Sequence, residues 1–145
     1  MARIVKRVQI NAPVEEVFEL VSDLERMPEW MKTCKSHRVT SEQKRGVGTQ
    51  THCVMETAGR TIEYNAVVTE YVENEKLAWH CAKPSRMDGV WRLKPEDDGT
   101  MLEFVMDYDL PYSVLGMFMD RFKVRGEMEK DIDKALTNLK NMLET

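Results

Sequence analysis

Four polar side chains in the middle and later parts of the sequence could act as acids or bases: Tyr64, Glu70, Arg92 and Tyr108. Inside an apolar cavity, such groups could move protons between the carbons and oxygens of a bound carbonyl or enol compound. Arg92 is the weakest candidate, because it follows Trp91 and adjacent residues of a strand point to opposite faces. The simpler interpretation, in which the tyrosines only orient a ligand, is favoured.

No nucleophile with an accompanying base is visible. The sequence lacks a Gly-x-Ser-x-Gly motif, and none of its histidines stands in a recognisable triad context. Gly46-x-Gly48 lacks the rest of a dinucleotide-binding or phosphate-binding loop, so it predicts a hairpin turn. The sequence therefore gives no sign of covalent catalysis, and we expect no cofactor.

Histidine and cysteine recur together at three places, as Cys34-x-x-His37, His52-Cys53 and His80-Cys81. Neighbouring residues of a strand face opposite ways, so neither adjacent pair can easily bind one ion. Cys53 and Cys81 fall on strands that a third strand separates, which places them roughly 9 to 10 Å apart. We therefore expect no metal site, and we expect the cysteines to be small buried apolar residues.

Period-two and helical patterns predict the elements that would position these residues. Residues 3–10 alternate as a half-buried strand, except that Lys6 falls on the apolar side. Pro13 and the following glutamates predict the start of a short helix with apolar residues to Val21. A second short helical piece, interrupted by Pro28, is expected over residues 24–31.

A long stretch of alternation follows, and turn signals divide it into six strands. They are expected at residues 35–43, 48–57, 60–71, 76–82, 88–95 and 100–109. From Ser113, a candidate N-cap, apolar residues recur every three to four positions and predict one helix of about 30 residues, about 45 Å long. Gly126 interrupts it at a cost of roughly 1 kcal/mol relative to alanine.

The predicted architecture is α+β, a curved antiparallel sheet of seven strands against one long C-terminal helix. One helix about 10 Å wide cannot fill the concave face of so broad a sheet, which favours a cavity between them. Eleven of the 145 residues are methionine, well above the roughly 2% that is usual in proteins. This excess suits an adaptable apolar pocket. The expected wall is Met55, Tyr64, Val68, Trp79, Trp91, Leu93, Phe104, Met106 and Tyr108, closed by Leu115, Phe118, Met119 and Phe122.

Composition and charge restrict the class of protein. A chain of 145 residues, 42% hydrophobic and 32% charged, fits one globular domain spanning residues 1–145. Its net charge of −4 argues against a nucleic-acid partner. Three cysteines without close pairing disfavour a disulfide framework, and no apolar segment follows the N-terminal strand. We expect a cytoplasmic protein without a signal peptide or membrane span.

A series of motifs runs through the chain: Ile10-Asn11-Ala12-Pro13-Val14-Glu15-Glu16-Val17-Phe18, Asp23-Leu24, Pro28-Glu29-Trp30, Gly46-Val47-Gly48-Thr49, Leu77-Ala78-Trp79, Gly99-Thr100 and Asp107-Tyr108-Asp109-Leu110-Pro111. Together they resemble the polyketide cyclase/dehydrase and lipid-transport families of the START and pollen-allergen-like (SRPBCC) superfamily. The resemblance implies a helix-grip fold that holds lipids, isoprenoid quinones or polyketides between sheet and helix.

Three functions remain open from the sequence. The first is a carrier or chaperone that binds an apolar small molecule, and the second is a cyclase or dehydratase that uses the same cavity. The third is an interaction module, because the start of the last helix is unusually apolar, with Val114 and Met117 off the main stripe. That surface could equally form the cavity mouth, a homodimer contact, a contact with a membrane or another protein, or part of the core.

Overall fold

The computed structural model describes residues 2–57, 59–83, 85–109 and 121–144. The described elements are seven strands, two short α-helices with a 3-10 turn between them, and one long helix. Their bounds are β1 (Ala2–Ile10), α1 (Val14–Ser22), the 3-10 turn (Leu24–Arg26), α2 (Met27–Trp30), β2 (Cys34–Val39), β3 (Gln50–Thr57), β4 (Arg60–Val72), β5 (Lys76–Cys81), β6 (Met87–Glu96), β7 (Gly99–Tyr108) and α3 (Arg121–Leu143).

The seven strands form one antiparallel sheet in the order β1-β7-β6-β5-β4-β3-β2. Each strand from β2 to β6 pairs with the next along the chain, and β1 pairs with β7. The alternation of apolar and polar residues along the strands predicts an antiparallel sheet, because the strands of such a sheet commonly bury only one face. The predicted helix-grip architecture is confirmed.

Two predicted local features differ in the structure. β2 ends at Val39 rather than at residue 43, and the chain up to β3 contains Gly46 and Gly48 at φ of +91° and +95°. Pro28 does not interrupt the second helical piece but lies in the first turn of α2. A proline is accepted there, because its missing N–H would have no partner within the helix.

The strands turn sharply where polar residues stand between them. Asn74, between β4 and β5, has φ of +64°, and Asp97 and Asp98, between β6 and β7, have φ of +50° and +64°. Asparagine and aspartate accept this left-handed backbone more readily than other residues with a side chain. These short turns keep the strands in the registers that bring the apolar side chains to one face.

The core lies between the inner face of the sheet and the helices. Ile4, Leu102 and Leu139 are at most 1% exposed, and Val17 and Trp30 of the short helices are completely buried. Trp30 meets Trp91 of β6 edge-on, with ring centroids 5.7 Å apart. The short helices therefore seal one side of the interior, and α3 covers another.

A β-bulge in β4 changes which side chains face inward. Val68 pairs with Trp79 and Glu70 pairs with Ala78, so Thr69 is an extra residue in the ladder. A bulge of one residue breaks the alternation of side chains along its strand. Beyond it Tyr71, not Glu70, turns inward, and its ring packs edge-on at 5.3 Å from Phe18.

Polar contacts fix α3 on β1. Lys6, the residue that interrupts the apolar pattern of β1, lies with its Nζ 3.3 Å from Asp133 and 3.7 Å from Glu129. Lys140 donates a hydrogen bond of 2.7 Å to the backbone oxygen of Gln9. The position of Lys6 on the inner face is thus explained by acidic partners on the helix.

Candidate ligand cavity

A cavity of about 130 Å³ lies between the inner face of the sheet, the short helices and α3. Its described lining is mostly apolar, as in small-molecule sites generally. The lining residues are Leu24, Met27, Met31, Thr33, His37, Thr51, Cys53, Met55, Tyr64, Ala66, Val67, Val68, Leu77, Trp79, Cys81, Met87, Trp91, Phe104, Met106, Met128, Asp131 and Ile132.

Aromatic side chains form the middle of the wall. Trp91 of β6 stacks obliquely on Phe104 of β7, with centroids 4.3 Å apart and planes inclined by 36°. Trp79 of β5 lies across Gly89 of β6, where an added Cβ would stand 2.4 Å from two carbons of the indole. Glycine at that position therefore leaves the space that the Trp79 ring occupies.

Three polar side chains form a row at the β2 side of the cavity. Cys53 of β3 pairs in register with His37 of β2 on one side and with Tyr64 of β4 on the other. All three line the cavity. We refer to His37, Cys53 and Tyr64 as the polar row.

Burial keeps the whole polar row uncharged. It raises the pKa of Tyr64 to about 12 and that of the Cys53 thiol to about 12. It lowers the pKa of His37 to about 4, and the attraction of Glu25 opposes this only weakly. In each case an apolar environment disfavours the charged form. At neutral pH the row consists of a phenol, a thiol and a neutral imidazole.

Asp131 of α3 is the one carboxylic side chain among the described lining residues. Desolvation raises the pKa of this half-buried group, Lys134 opposes the shift and Glu127 adds to it. The described lining contains no lysine or arginine. The cavity thus offers an anion no positive partner from the described part of the chain.

The family model for polyketide cyclase/dehydrase and lipid transport matches residues 1–144. The chain belongs to this family. The resemblance to the polyketide cyclase/dehydrase and lipid-transport families, inferred from the motifs, is confirmed. No curated protein sequence matches the chain.

Several solved structures share the fold of this chain at low sequence identity. TTHA0849 from Thermus thermophilus has a TM-score of 0.84 at 22% identity, covering 98% of this chain and 97% of that one. A START superfamily protein from Mycobacterium smegmatis has a TM-score of 0.76 at 21% identity, covering 97% and 98%. The Zhui aromatase/cyclase from Streptomyces sp. R1128 has a TM-score of 0.81 at 14% identity, covering 99% and 93%.

Most strand residues expected in the cavity wall lie there in this family member. The structure places Met55, Tyr64, Val68, Trp79, Trp91, Phe104 and Met106 in the lining. Tyr108 and Leu93 are buried in the core instead, at 4% and 6% exposure. The expected closing residues Leu115, Phe118 and Met119 lie outside the described residues, as do the proposed N-cap Ser113 and the side chain of Phe122.

Glu70 was expected inside the cavity, and the structure corrects this prediction. The bulge at Thr69 turns Glu70 to the outer face, where it is exposed and forms an ion pair with Lys76. Tyr108 is not part of the described lining either. Arg92 lies on the outer face, as alternation predicted. Of the four candidate acids and bases, only Tyr64 lines the cavity.

Sequence reasoning missed lining residues from three places: the region of α2, the strands β2 and β3, and the long helix α3. Met27 and Met31 come from around α2, and too few residues of so short a helix show which side faces inward. His37 and Cys53 could have been found from alternation, because Cys53 is two residues from the expected wall residue Met55 and His37 is more buried than both of its neighbours in β2. Asp131 gave no signal, since an acidic residue on a long helix ordinarily faces water.

The outer face carries the other two histidines and several ion pairs. The ring of His52 contacts the Asn65 side chain at 2.9 Å and a Glu63 carboxylate oxygen at 3.1 Å. His80 contacts Asp88. No group of three or more metal-ligating side chains stands together in the described part of the chain. Cys34, Cys53 and Cys81 are free thiols.

No described helix is long and apolar enough to cross a membrane.

Proposed function

We propose that this protein binds an apolar small molecule in the cavity and acts as its carrier. The observation that carries the proposal is the cavity itself, about 130 Å³ enclosed largely by methionine, tryptophan and other apolar side chains. Burying apolar surface provides roughly 25 cal/mol per Å², so such a wall favours a hydrophobic ligand without specific chemistry. Methionines around it, such as Met27 and Met128, can adjust to the ligand's shape.

The protonation states of the polar row support a carrier over a catalyst. General acid and base catalysis works best when the pKa of the group lies near the working pH. The pKa of Tyr64, about 12, and that of His37, about 4, both lie far from neutrality. These side chains are therefore suited to hydrogen bonding with a ligand rather than to exchanging protons with it.

A cyclase or dehydratase activity is the second candidate, and Asp131 is the observation that favours it. Its carboxyl lines the cavity and has a raised pKa, which moves it toward the range of a useful acid. Folding a poly-carbonyl chain depends mainly on shape and orientation, so few such groups are needed. On this alternative, Asp131→Asn or Tyr64→Phe abolishes turnover of a poly-carbonyl substrate while binding persists. Turnover unchanged in both variants would exclude it.

The interaction-module hypothesis depends on residues 112–125, and every side chain of this segment except that of Arg125 lies outside the described residues. It stays a prediction of the sequence. Phe118→Ala and Met117→Ala would weaken partner binding on that hypothesis without changing ligand binding.

A pair of alanine substitutions tests the carrier proposal. Ala66 of β4 lines the cavity, whereas Ala78 of β5 lies on the outer face of the sheet. Ala66→Phe fills part of the cavity and should weaken binding of the neutral fluorescent probe N-phenyl-1-naphthylamine at least about tenfold. Ala78→Phe is the matched control and should leave the affinity within about twofold. Circular dichroism checks that both variants are folded.

Mass spectrometry of the protein purified under native conditions identifies what it carries. We expect an apolar small molecule bound to the wild type and to Ala78→Phe, but not to Ala66→Phe. A wild-type protein that carries no such molecule and does not bind the fluorescent probe would contradict the proposal.

A further inference from the structure

His37 is a buried polar side chain without a hydrogen bond. Its exposure is 9%, its ring forms part of the cavity wall, and its Nδ1 is buried with no partner. No described residue donates to or accepts from the ring. A buried polar group left without a partner is costly, so native proteins rarely retain one.

The other side chains of the polar row do not provide a hydrogen bond to the His37 ring. Its register partner Cys53 is a weak donor whose own thiol is held protonated by burial. Tyr64 lies one strand further, roughly 10 Å away between Cα atoms at the usual strand spacing. The phenol of Tyr64 likewise makes no hydrogen bond to a described residue, so the row holds two unused polar groups.

A ring nitrogen can be brought to the cavity by a simple rotation. The torsion that orients an imidazole has two nearly equivalent settings, which exchange Nδ1 with a ring carbon. A neutral imidazole has one donor and one acceptor, and which nitrogen carries the proton depends on the partner. A hydroxyl group fits either form, because it can both donate and accept.

The charges around the cavity restrict the ligand further. A carboxylate or phosphate buried in an apolar space needs a cationic partner. None of the described lining residues supplies one, since His37 is neutral at pH 7 and the described lining lacks lysine and arginine. Asp131 adds negative charge when it is ionised. An anionic lipid such as a fatty acid is therefore disfavoured.

From these observations we propose that the ligand is an uncharged alcohol or phenol whose hydroxyl hydrogen-bonds to His37. This inference rests on the proposed carrier function and specifies its ligand class. The remainder of the molecule lies against the apolar wall formed by Trp79, Trp91 and Phe104. The polar row orients the ligand, and the aromatic wall provides the affinity.

Three bicyclic compounds of similar size test the ligand class: naphthalene, 1-naphthol and 1-naphthoate. Their affinities are measured by displacement of N-phenyl-1-naphthylamine at pH 7. In the wild type we expect 1-naphthol to bind at least as tightly as naphthalene, and 1-naphthoate to bind at least about tenfold more weakly than 1-naphthol. The cation 1-naphthylmethylammonium tests whether Asp131 is the polar contact instead.

Variants at His37 assign the hydrogen bond. His37→Phe should weaken the binding of 1-naphthol relative to that of naphthalene about 3- to 10-fold, the effect of one lost hydrogen bond. His37→Gln keeps a donor and an acceptor, so it should retain the preference for 1-naphthol. His52→Phe, which replaces a histidine of the outer face, is the control and should change neither affinity.

The outcomes separate this inference from the carrier function. If naphthalene and 1-naphthol bind equally well and His37→Phe affects neither, the carrier stands and the ligand class is wrong. Tighter binding of 1-naphthoate or of the ammonium compound than of 1-naphthol also overturns the ligand class. If no compound binds, both proposals fail. If His37→Phe does not fold, the wild-type affinities for the compounds still test the ligand class. A loss of the preference for 1-naphthol in His37→Gln would then also contradict it.

Discussion

The sheet holds one histidine on its inner face and two on its outer face, in opposite surroundings. His37 faces the cavity without a hydrogen bond, and burial lowers its pKa to about 4. His52 and His80 each have a carboxylate partner and access to water. The comparison shows that the face of the sheet on which a histidine lies, rather than its residue type, decides whether its ring finds a hydrogen-bond partner.

The same difference runs through the rest of the two faces. The outer face carries ion pairs between neighbouring strands, such as Arg7 with Glu103 and Arg3 with Asp107. The inner face has aromatic and methionine side chains with space between them. Stability should depend on the inner face and solubility on the outer face, and substitutions on one strand can separate the two.

The largest effect is expected for Trp91→Ala. This side chain is 2% exposed and contacts both Trp30 and Phe104, so its removal should lower the free energy of unfolding by about 3 to 5 kcal/mol. Arg92→Ala, the next residue on the outer face, should cost less than about 0.5 kcal/mol. Urea denaturation measures both. Equal losses would show that the two faces do not differ in this way.

Acid pH should destabilise the protein through His37. Between pH 6.5 and about 4 the unfolded chain binds a proton at this residue while the folded chain does not, so stability falls as pH falls. The loss reaches about 3 kcal/mol, at 1.4 kcal/mol for each unit of pKa difference. His37→Gln should remove this part of the pH dependence, measured by urea denaturation from pH 4 to 7. His52→Gln should leave it in place.

Replacing each of two glycines by alanine should change the free energy of unfolding in opposite directions. Gly89→Ala places a Cβ against the Trp79 indole, and displacing that ring into the cavity should cost about 1 to 3 kcal/mol and weaken probe binding. Gly126→Ala, in α3 with nothing near its Cβ position, should gain about 0.5 to 1 kcal/mol. Thermal unfolding and tryptophan emission are the measurements. Destabilisation of similar size by both would count against the close contact at Gly89.

A small effect, dependent on salt, is expected on the outer face for Arg7→Ala. The Arg7 side chain is 63% exposed although its Nε lies 2.7 Å from Glu103. An exposed ion pair contributes less than about 1 kcal/mol, and salt reduces it further. Thermal unfolding at low and high salt should show a small loss that disappears at high salt. A loss above about 2 kcal/mol would mean that this pair has a structural role beyond its charge.

The order and type of the elements could be predicted because alternation persists over each strand. In β7, for example, Leu102, Phe104 and Met106 are buried while the residues between them are partly exposed. The end of β2 could not be placed, since the polar residues after Val39 suit a strand edge and a loop equally. The bulge at Thr69 gave no signal in the sequence either, because it changes the pairing of β4 with β5 rather than the composition of β4.

The residues of the candidate site could be predicted where side chains alternate regularly between the two faces of the sheet, and could not be predicted where this alternation fails. Trp79, Trp91 and Phe104 follow from alternation alone. Glu70 was misplaced by the same rule, since alternation fails beyond the bulge. His37 was considered only as a metal ligand, because its lack of a partner becomes visible only when the strands around it are assembled.

The contacts that fix α3 on β1 bear on how a ligand enters and leaves. In the second half of α3, Asp133 forms an ion pair with Lys6 of β1, and Lys140 donates a hydrogen bond to the backbone oxygen of Gln9. Just after the helix, Glu144 accepts a hydrogen bond from the backbone N–H of Asn11. Lifting that half away would break all of these contacts and expose Leu136 and Leu139. Loading and unloading should therefore proceed while this part of the helix stays in place, so exchange rates should be insensitive to mutations of Lys140 and Glu144.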